Sequence, residues 1–368
     1  MNASKPLSLR TLNRTTLARQ LLLRREKVKV ATAVQRVAGL QAQIPRPPFI
    51  GLWSRVDGFR RADLIRAIDR RDIVRGTLMR GTIHLVSRQD FIDWRPVIQP
   101  VLTRVMMSVL GKVIAQFDLD LIVAAARTRF DADACTFAEL REHLREEMPG
   151  VNERAMALIV RMLLPLVLTP ETGQRWAYHA AADFAVARSW LGKEIPTAGE
   201  PEALALRYLA AFGPATGQDF QIWSGLPAGR AVMNALRPKL RIFRDEEGRD
   251  LFDLPKASLV DDDEIAPVRF LPEYDNVLLA HADRSRMVHD DHRKHLFTKN
   301  LLIPPSFLVD GFVAGLWKVE SKIKAKKRHV RMVLKPFSKL DKRARTALEE
   351  ESEQLLRFIE PDAESYMV

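Results

Sequence analysis

The chain has 368 residues, 47% of them hydrophobic, which is enough to bury a sizeable core in two to four domains. A single cysteine, Cys135, excludes an internal disulfide and any zinc or iron–sulfur site built on several cysteines. The net charge of +12 is unevenly placed: residues 1–100 hold 20 Lys and Arg against 7 Asp and Glu, and the other 268 residues hold 38 against 39.

This basic excess predicts a polyanionic partner. Dense positive charge binds polyanions through counterion release, and nucleic acid is the commonest of them. An anionic membrane surface is the alternative, but the sequence shows no long apolar run, signal peptide or strongly amphipathic basic helix. A basic surface without a partner stays open as a third interpretation. We expect a cytoplasmic protein, because the sequence shows no signal peptide and its single cysteine cannot form an internal disulfide. Binding to nucleic acid would make it nucleoid-associated.

The first segment, residues 1–110, reads as helices followed by a two-stranded ribbon. Apolar spacing predicts helices over 15–23, 30–40 and 61–68, strands over 74–80 and 82–86, and a helix around Phe91. Within it lies Gly39-Leu40-Gln41-Ala42-Gln43-Ile44-Pro45. Pro45 disfavours helical geometry at the preceding residue, and Gly39 suits the end of a helix. The run therefore predicts an extended stretch leading into a loop.

Two amides in this stretch form a candidate site. If residues 41–44 are extended, Gln41 and Gln43 share one face, and Ala42 and Ile44 share the other. Two neighbouring amides can hold one water molecule or one polar ligand. The alternative is a solvated loop without function, which the spacing alone leaves open.

The second and third segments, residues 111–195 and 196–260, repeat the same order of helices and ribbon. In the second, Thr136 and Glu139 predict a capping box before helices over 136–146 and 152–164 and strands over 166–169 and 175–179. The third has helical spacing over 202–212, around 222 and over 228–236, then strands over 240–243 and 250–254. Helices followed by a ribbon are typical of winged helices. Both segments are nearly neutral, so we expect scaffolds rather than phosphate-binding modules.

Residues 261–368 change to β character. Strands are predicted over 266–271, 277–279, 307–309, 312–318 and 330–334, with a closing helix over 341–358. The predicted fold class is therefore α+β, with tandem winged-helix modules arranged around a C-terminal β-barrel. Twelve Lys and Arg between residues 318 and 345 are either a solvated face or a nucleic-acid contact.

Four short motifs carry a family resemblance: residues 39–43, 80–86, 271–276 and 308–311, in this order. Together they resemble the winged-helix DNA glycosylases of the AlkZ/YcaQ type, which act on alkylated DNA and interstrand crosslinks, over nearly the whole chain. The resemblance implies a concave DNA-binding channel and a catalytic pair of the form Gln, apolar residue, then Gln or Asp. Gln41 and Gln43 match the AlkZ branch, whereas the YcaQ branch has Asp at the second position.

The second glutamine limits the chemistry that the resemblance implies. A carboxylate can stabilise an oxocarbenium-like sugar or deprotonate water, but an amide can only position water and offer its carbonyl dipole. That suffices for a cationic base such as N7-alkylguanine, so we expect a narrow preference and little activity on uracil. With no lysine beside the pair, the enzyme is predicted to be monofunctional and to need no metal or cofactor.

The remaining assignments concern DNA contacts and support. Arginine forks match phosphate oxygens, and the predicted phosphate contacts are Arg46, Arg55, Arg75 and Arg80. His84 is interpreted either as a DNA contact or as a buried, hydrogen-bonded histidine. Supporting residues are predicted in the turn that holds the barrel against the channel: Tyr274, Asp275 and Asn276, with a catalytic Asp275 as the lesser alternative. The expected partner is double-stranded DNA with alkylated purines, bound by a monomer without a membrane.

Two other classes of function remain open at this point. A non-catalytic winged-helix regulator would explain the basic first segment equally well. A scaffold that binds RNA or protein through the basic C-terminal strands would also fit the charge pattern. Neither gives a reason for the glutamine pair.

Overall fold

The computed structural model describes residues 5–297 and 302–368. Its first segment follows the predicted order of helices and ribbon, with these bounds: α1 (Leu9–Arg19), α2 (Val30–Arg36), β1 (Leu40–Gln41), α3 (Pro47–Trp53), α4 (Arg61–Asp69), β2 (Ile73–Thr77) and β3 (Ile83–Ser87). Helix α2 ends before Ala38 and Gly39, which both adopt positive φ. Helix α3 was not predicted; Pro47 is its first residue, a position where the missing N–H of proline costs nothing.

A long helix, α5 (Arg88–Leu110), follows the ribbon, and a 3₁₀ turn extends it to Gln116. Ser87 caps it by accepting a hydrogen bond from the Asp90 amide. Its length and apolar composition would allow it to cross a membrane, although the core helix of a globular protein meets the same criterion. Phe91, Trp94 and Ile98 on this helix are buried in the main core.

The second segment contains α6 (Leu119–Ala132), α7 (Phe137–Glu147), α8 (Glu153–Leu163), β4 (Leu166–Leu168), β5 (Phe184–Val186) and α9 (Ala187–Leu191). The capping box of Thr136 and Glu139 is confirmed. The predicted strand over 175–179 is wrong, because β4 pairs instead with β5. The aromatic side chains that suggested a strand pack on other elements: Trp176 lies edge-on against Phe49, and Tyr178 lies under Arg75.

The third segment matches its prediction closely, with α10 (Pro201–Phe212), α11 (Gly217–Ser224), α12 (Gly229–Ala235), β6 (Arg241–Arg244) and β7 (Asp250–Asp253). Strands β6 and β7 form a separate two-stranded ribbon. Three helices followed by two strands thus recur in the second and third segments. Their interpretation as winged helices stays a prediction.

The C-terminal segment is an open sheet, so the predicted barrel is wrong. It comprises β8 (Arg269–Leu271), α13 (Asp290–Leu296), β9 (Ser306–Val309), β10 (Phe312–Lys324), β11 (Lys327–Pro336), α14 (Lys342–Ile359) and β12 (Ser365–Met367). The strand order is β12-β11-β10-β9-β8, and the two outer strands do not pair with each other in the described ranges. The predicted strand over 277–279 is instead part of a 3₁₀ turn. Helix α14 covers the sheet's apolar face, so burial does not require closure.

One sheet joins the first and second segments, with the order β1-β3-β2-β4-β5. At its centre Gly76 pairs with Val167, and a side chain there would clash, because a Cβ would lie 2.6 Å from the ring of Phe91. A single apolar cluster runs from Leu21 to Ala280 and includes residues of the first three segments. The domain boundaries at 110, 195 and 260 stay predictions.

Candidate active site

The glutamine motif lies at the edge of the first sheet. Leu40 pairs with Leu85 and Gln41 with His84 across β1 and β3. The Ala42 amide continues the pairing by donating to the Ile83 carbonyl at 2.8 Å. The extended geometry predicted from Gly39 and Pro45 is therefore confirmed where the motif begins.

The two amides have fixed orientations and unlike surroundings. Gln41 Oε1 accepts a hydrogen bond from Arg80 Nη2 at 3.0 Å, and Gln43 Oε1 accepts one from the Ile83 amide at 3.2 Å. Both partners can only donate, so each side chain must present its carbonyl oxygen to the protein. Gln41 is buried, whereas Gln43 is exposed. Each carbonyl keeps one lone pair, and neither NH₂ group has a partner among the described residues.

Arg80 and His84 hold the buried glutamine. Arg80 adopts a positive φ of 58° and also donates to the Trp223 carbonyl, so it positions Gln41. Its phosphate contact stays a prediction. His84 Nδ1 donates to the Thr82 carbonyl at 3.1 Å. Burial, reinforced by the charge of Arg80, lowers the pKa of His84 to about 3, so the ring is neutral at physiological pH. Because His84 is fully buried, the predicted DNA contact is wrong and the buried-histidine interpretation is confirmed.

Arg75 on β2 holds the backbone of the motif. Its Nε donates to the Ala42 carbonyl at 2.9 Å, and its Nη2 donates to the Gln43 carbonyl at 3.3 Å. The guanidinium lies 4.8 Å from the centre of the Tyr178 ring. Burial lowers the pKa of Arg75 to about 10, so it stays protonated at neutral pH. Its Nη1 is buried and has no hydrogen-bond partner within residues 5–297 and 302–368.

Arg55 is fully buried and its charge is paired with a carboxylate inside the protein, which contradicts its predicted role as a phosphate contact. It makes two hydrogen bonds, at 2.7 and 2.8 Å, to the carboxylate of Asp275. The fork that fits a phosphate also fits a carboxylate, so sequence alone does not separate these roles. Arg46 is likewise paired, with Glu273 at 2.6 Å, although it remains half-buried. Its charge is therefore already matched by a carboxylate.

The turn predicted to support the site does contact the motif. Asn276 Nδ2 donates to the Gly39 carbonyl at 2.7 Å, directly before the glutamines. Tyr274 adopts a positive φ of 60°, and its amide donates to the Ile303 carbonyl. Asp275 is buried in its ion pair with Arg55, so it lies in a structural position rather than at the exposed glutamine.

Gln43 lines a cleft of about 730 Å³ between the first sheet and helices α7 and α8. Phe137 and Phe184 form part of its apolar wall, and no acidic side chain of residues 5–297 and 302–368 lines it. It contains four arginines: Arg75, Arg141, Arg154 and Arg161. We refer to these four as the arginine cleft. Three of them come from the second segment, which was expected to be scaffold.

The sequence did hold a signal for the arginine cleft. Arg154 and Arg161 are seven residues apart, which places them on one face of a helix whose opposite face is apolar. The net charge of the second segment did not reveal these arginines, because acidic residues elsewhere in the segment bring its net charge close to zero. Within the described parts of the chain, no group of three or more His, Cys, Asp or Glu could hold a metal ion.

Comparison with known proteins agrees with this architecture. The model of the family described as "DNA glycosylase AlkZ-like" matches residues 34–358, most of the chain. Four chains of solved structures match significantly, and one of them is "Streptomyces sahachiroi DNA glycosylase AlkZ", with a TM-score of 0.76, 20% identity, and coverage of 99% of this chain and 100% of that one. At this identity the likeness concerns the fold. No curated protein matches significantly. Because the family model covers most of its length, this chain belongs to the AlkZ-like DNA glycosylase family.

Proposed function

We propose that this DNA glycosylase hydrolyses the N-glycosidic bond of N-alkylated purines of the N7-alkylguanine type in double-stranded DNA. The observation that carries the proposal is the exposed, oriented amide of Gln43 in a cleft that no carboxylate lines. Such a site has no general base of the Asp or Glu type, so its substrate must already contain a good leaving group.

The chemistry follows from the charges of the reactants. A guanine alkylated at N7 carries a positive charge, and it leaves as a neutral base when the bond to C1′ breaks, without needing a proton. Water then adds to C1′ of the cationic sugar and loses one proton to the solvent, which leaves a neutral sugar. Gln43 Oε1 has one lone pair left beyond its bond with Ile83, and this lone pair orients the water by accepting one of its hydrogens. The product is an abasic site, as expected for a monofunctional enzyme.

The proposal extends to interstrand crosslinks. A crosslink through guanine N7 contains the same cationic base, so breaking the same bond would release one strand. The cleft beside Gln43 is open and about 730 Å³ in volume, which leaves space for a bulky substituent. The enzyme would act as a cytoplasmic, nucleoid-associated monomer in DNA repair or in self-resistance to an alkylating toxin.

The test is excision from a duplex that contains N7-methylguanine, followed by alkaline cleavage at abasic sites. Replacing the water-orienting amide, Gln43→Ala, should lower the single-turnover rate by about 100-fold, which is typical for removal of one oriented catalytic dipole. The matched control is Gln89→Ala, the same change at an exposed glutamine on α5. A duplex with uracil should be cleaved little by either protein.

Two outcomes would contradict the proposal. Unchanged excision by a folded Gln43→Ala variant would remove the catalytic role of this residue. Binding of the methylated duplex by the wild-type protein without any strand breaks would favour a non-catalytic DNA-binding protein.

A further inference from the structure

The arginine cleft carries four positive charges that are not paired directly with a carboxylate. None of its arginines forms a salt bridge within the described residues, although Arg46 and Arg55, close to the same motif, are each paired with a carboxylate. The cleft also lacks acidic lining residues. Uncompensated charges of one sign, gathered in a concave site, attract ligands of the opposite sign.

Two arginines in this cleft also have unused hydrogen-bond donors. Arg75 Nη1 and Arg161 Nε are buried and have no partner in the described ranges. A buried donor without a partner costs about 1–3 kcal/mol, and more when the group is charged. Burial, with a smaller contribution from the neighbouring Arg161 charge, lowers the pKa of Arg75. The guanidinium of Arg161 lies over Phe137 and Phe184, at 5.0 and 5.5 Å, which fixes its position without satisfying its Nε.

We propose that the arginine cleft binds backbone phosphates of the DNA strand that carries the target nucleotide. The inference rests on the proposed function only in taking DNA as the substrate. Guanidinium forks bind phosphate oxygens through paired hydrogen bonds, and an anion there would supply the acceptors that Arg75 and Arg161 lack. Because Gln43 lines the same cleft, the bound phosphates belong to nucleotides next to the reacting sugar.

The proposal also resolves an electrostatic conflict in the site. Hydrolysis creates positive charge on the sugar, and four unpaired arginines nearby would oppose it. Phosphates seated on these arginines neutralise them before the bond breaks. Arg75 joins the two functions, because the same side chain holds the carbonyls of Ala42 and Gln43. The second segment thus contributes directly to DNA binding.

The experiment measures the affinity for a duplex that contains a stable abasic-site analogue, across a series of salt concentrations, by fluorescence anisotropy. Each phosphate contact makes the negative slope of log association constant against log salt concentration steeper by about 0.9. Arg154→Gln and Arg161→Gln should therefore each make the slope shallower by about that amount. Arg127→Gln is the matched control, because Arg127 is exposed on α6 and does not line the cleft. It should leave the slope nearly unchanged. Arg75 is not varied, since it also holds the motif.

Three results would separate the possibilities. Unchanged slopes in both cleft variants, with wild-type folding, would overturn the inference even if the wild-type protein excises N7-methylguanine. Shallower slopes in the cleft variants, without any excision by the wild-type protein, would support phosphate binding by the arginine cleft and refute the proposed reaction. A thermal shift with inorganic phosphate at constant ionic strength, lost in Arg161→Gln while the DNA slopes stay unchanged, would indicate a small-anion site and overturn the assignment to DNA.

Discussion

At the scale of single residues, chemical type did not reveal role. Arg55, Arg75 and Arg161 have the same side chain but different surroundings. Arg55 is buried in an ion pair, Arg75 donates a hydrogen bond to the backbone of the glutamine motif, and Arg161 lines an open cleft. The two glutamines differ in the same way, since one is buried against Arg80 and the other is exposed. The partners of each side chain decide its function.

The neutral, buried His84 predicts a specific dependence of stability on pH. The pKa of His84 is about 3 when folded, against an ordinary value of 6.5, so below pH 6.5 the unfolded chain binds a proton that the folded protein does not. Its contribution to stability is present above pH 6.5 and is lost as the pH falls, by about 2 kcal/mol at pH 5. His84→Gln should therefore lose less stability between pH 7 and pH 5 than the wild type.

Urea unfolding at several pH values checks this prediction. His179→Gln changes an exposed histidine and should follow the wild-type curve. Parallel curves for His84→Gln and the wild type would show that His84 is not kept neutral by folding.

At the scale of elements, one short turn connects the C-terminal sheet with the glutamine motif. Asp275 and Asn276 follow β8 closely, and they bind Arg55 at the end of α3 and the carbonyl of Gly39. The turn therefore positions the motif from a distance of more than 200 residues in sequence.

The Arg55–Asp275 ion pair should be essential for stability. Asp275→Asn leaves the buried guanidinium without a counter-charge, and removal of one partner of a buried pair costs about 3–5 kcal/mol. Glu273→Gln breaks the more exposed pair with Arg46 and should cost about 1 kcal/mol or less. Denaturant midpoints of the two variants give the comparison. Equal small losses would mean that the buried pair is not needed.

At the scale of the whole molecule, part of the excess positive charge of the first hundred residues is paired with carboxylates from the rest of the chain. Distant carboxylates pair with its arginines: Arg14 with Asp310, Arg19 with Asp253, Arg25 with Glu351, Arg46 with Glu273, and Arg55 with Asp275. Meanwhile, the nearly neutral second segment supplies to the cleft three arginines that form no salt bridge with any described residue. Net charge per segment therefore predicts a polyanionic partner but does not show which arginines remain unpaired.

Residues 1–110 share ion pairs and an apolar core with the rest of the chain, so we predict that they do not fold alone. The isolated fragment would lose the carboxylates that pair with its arginines, the strand β4 that pairs with β2, and the apolar partners in the common cluster. Its thermal melt, followed by circular dichroism, should lack a cooperative transition, in contrast to the full chain. A sharp transition in the fragment would show that the first segment is an independent domain.

Local features of this protein could be predicted because they depend on neighbouring residues. Gly39 and Pro45 dictate an extended motif through backbone sterics, Thr136 and Glu139 form a capping box across one turn, and apolar spacing places most helices and the ribbons of the first and third segments. The strand over 175–179 failed because its alternating aromatics pack on other elements. The prediction of a barrel was wrong because a sheet need not close on itself when a helix covers its apolar face, and the sequence does not show which element covers it.

By itself, the sequence determined an extended glutamine motif among helices and ribbons, and its resemblance to a glycosylase family. Only the tertiary structure decided which arginines are paired, which glutamine is exposed, and that the second segment forms the cleft beside it. The physical reason is distance along the chain: Arg55 meets Asp275 across 220 residues, and Gln43 meets Arg154 and Arg161 across more than 100. Local sequence patterns do not predict such long-range contacts. These contacts determine which charges are paired inside the protein and which remain available to bind DNA.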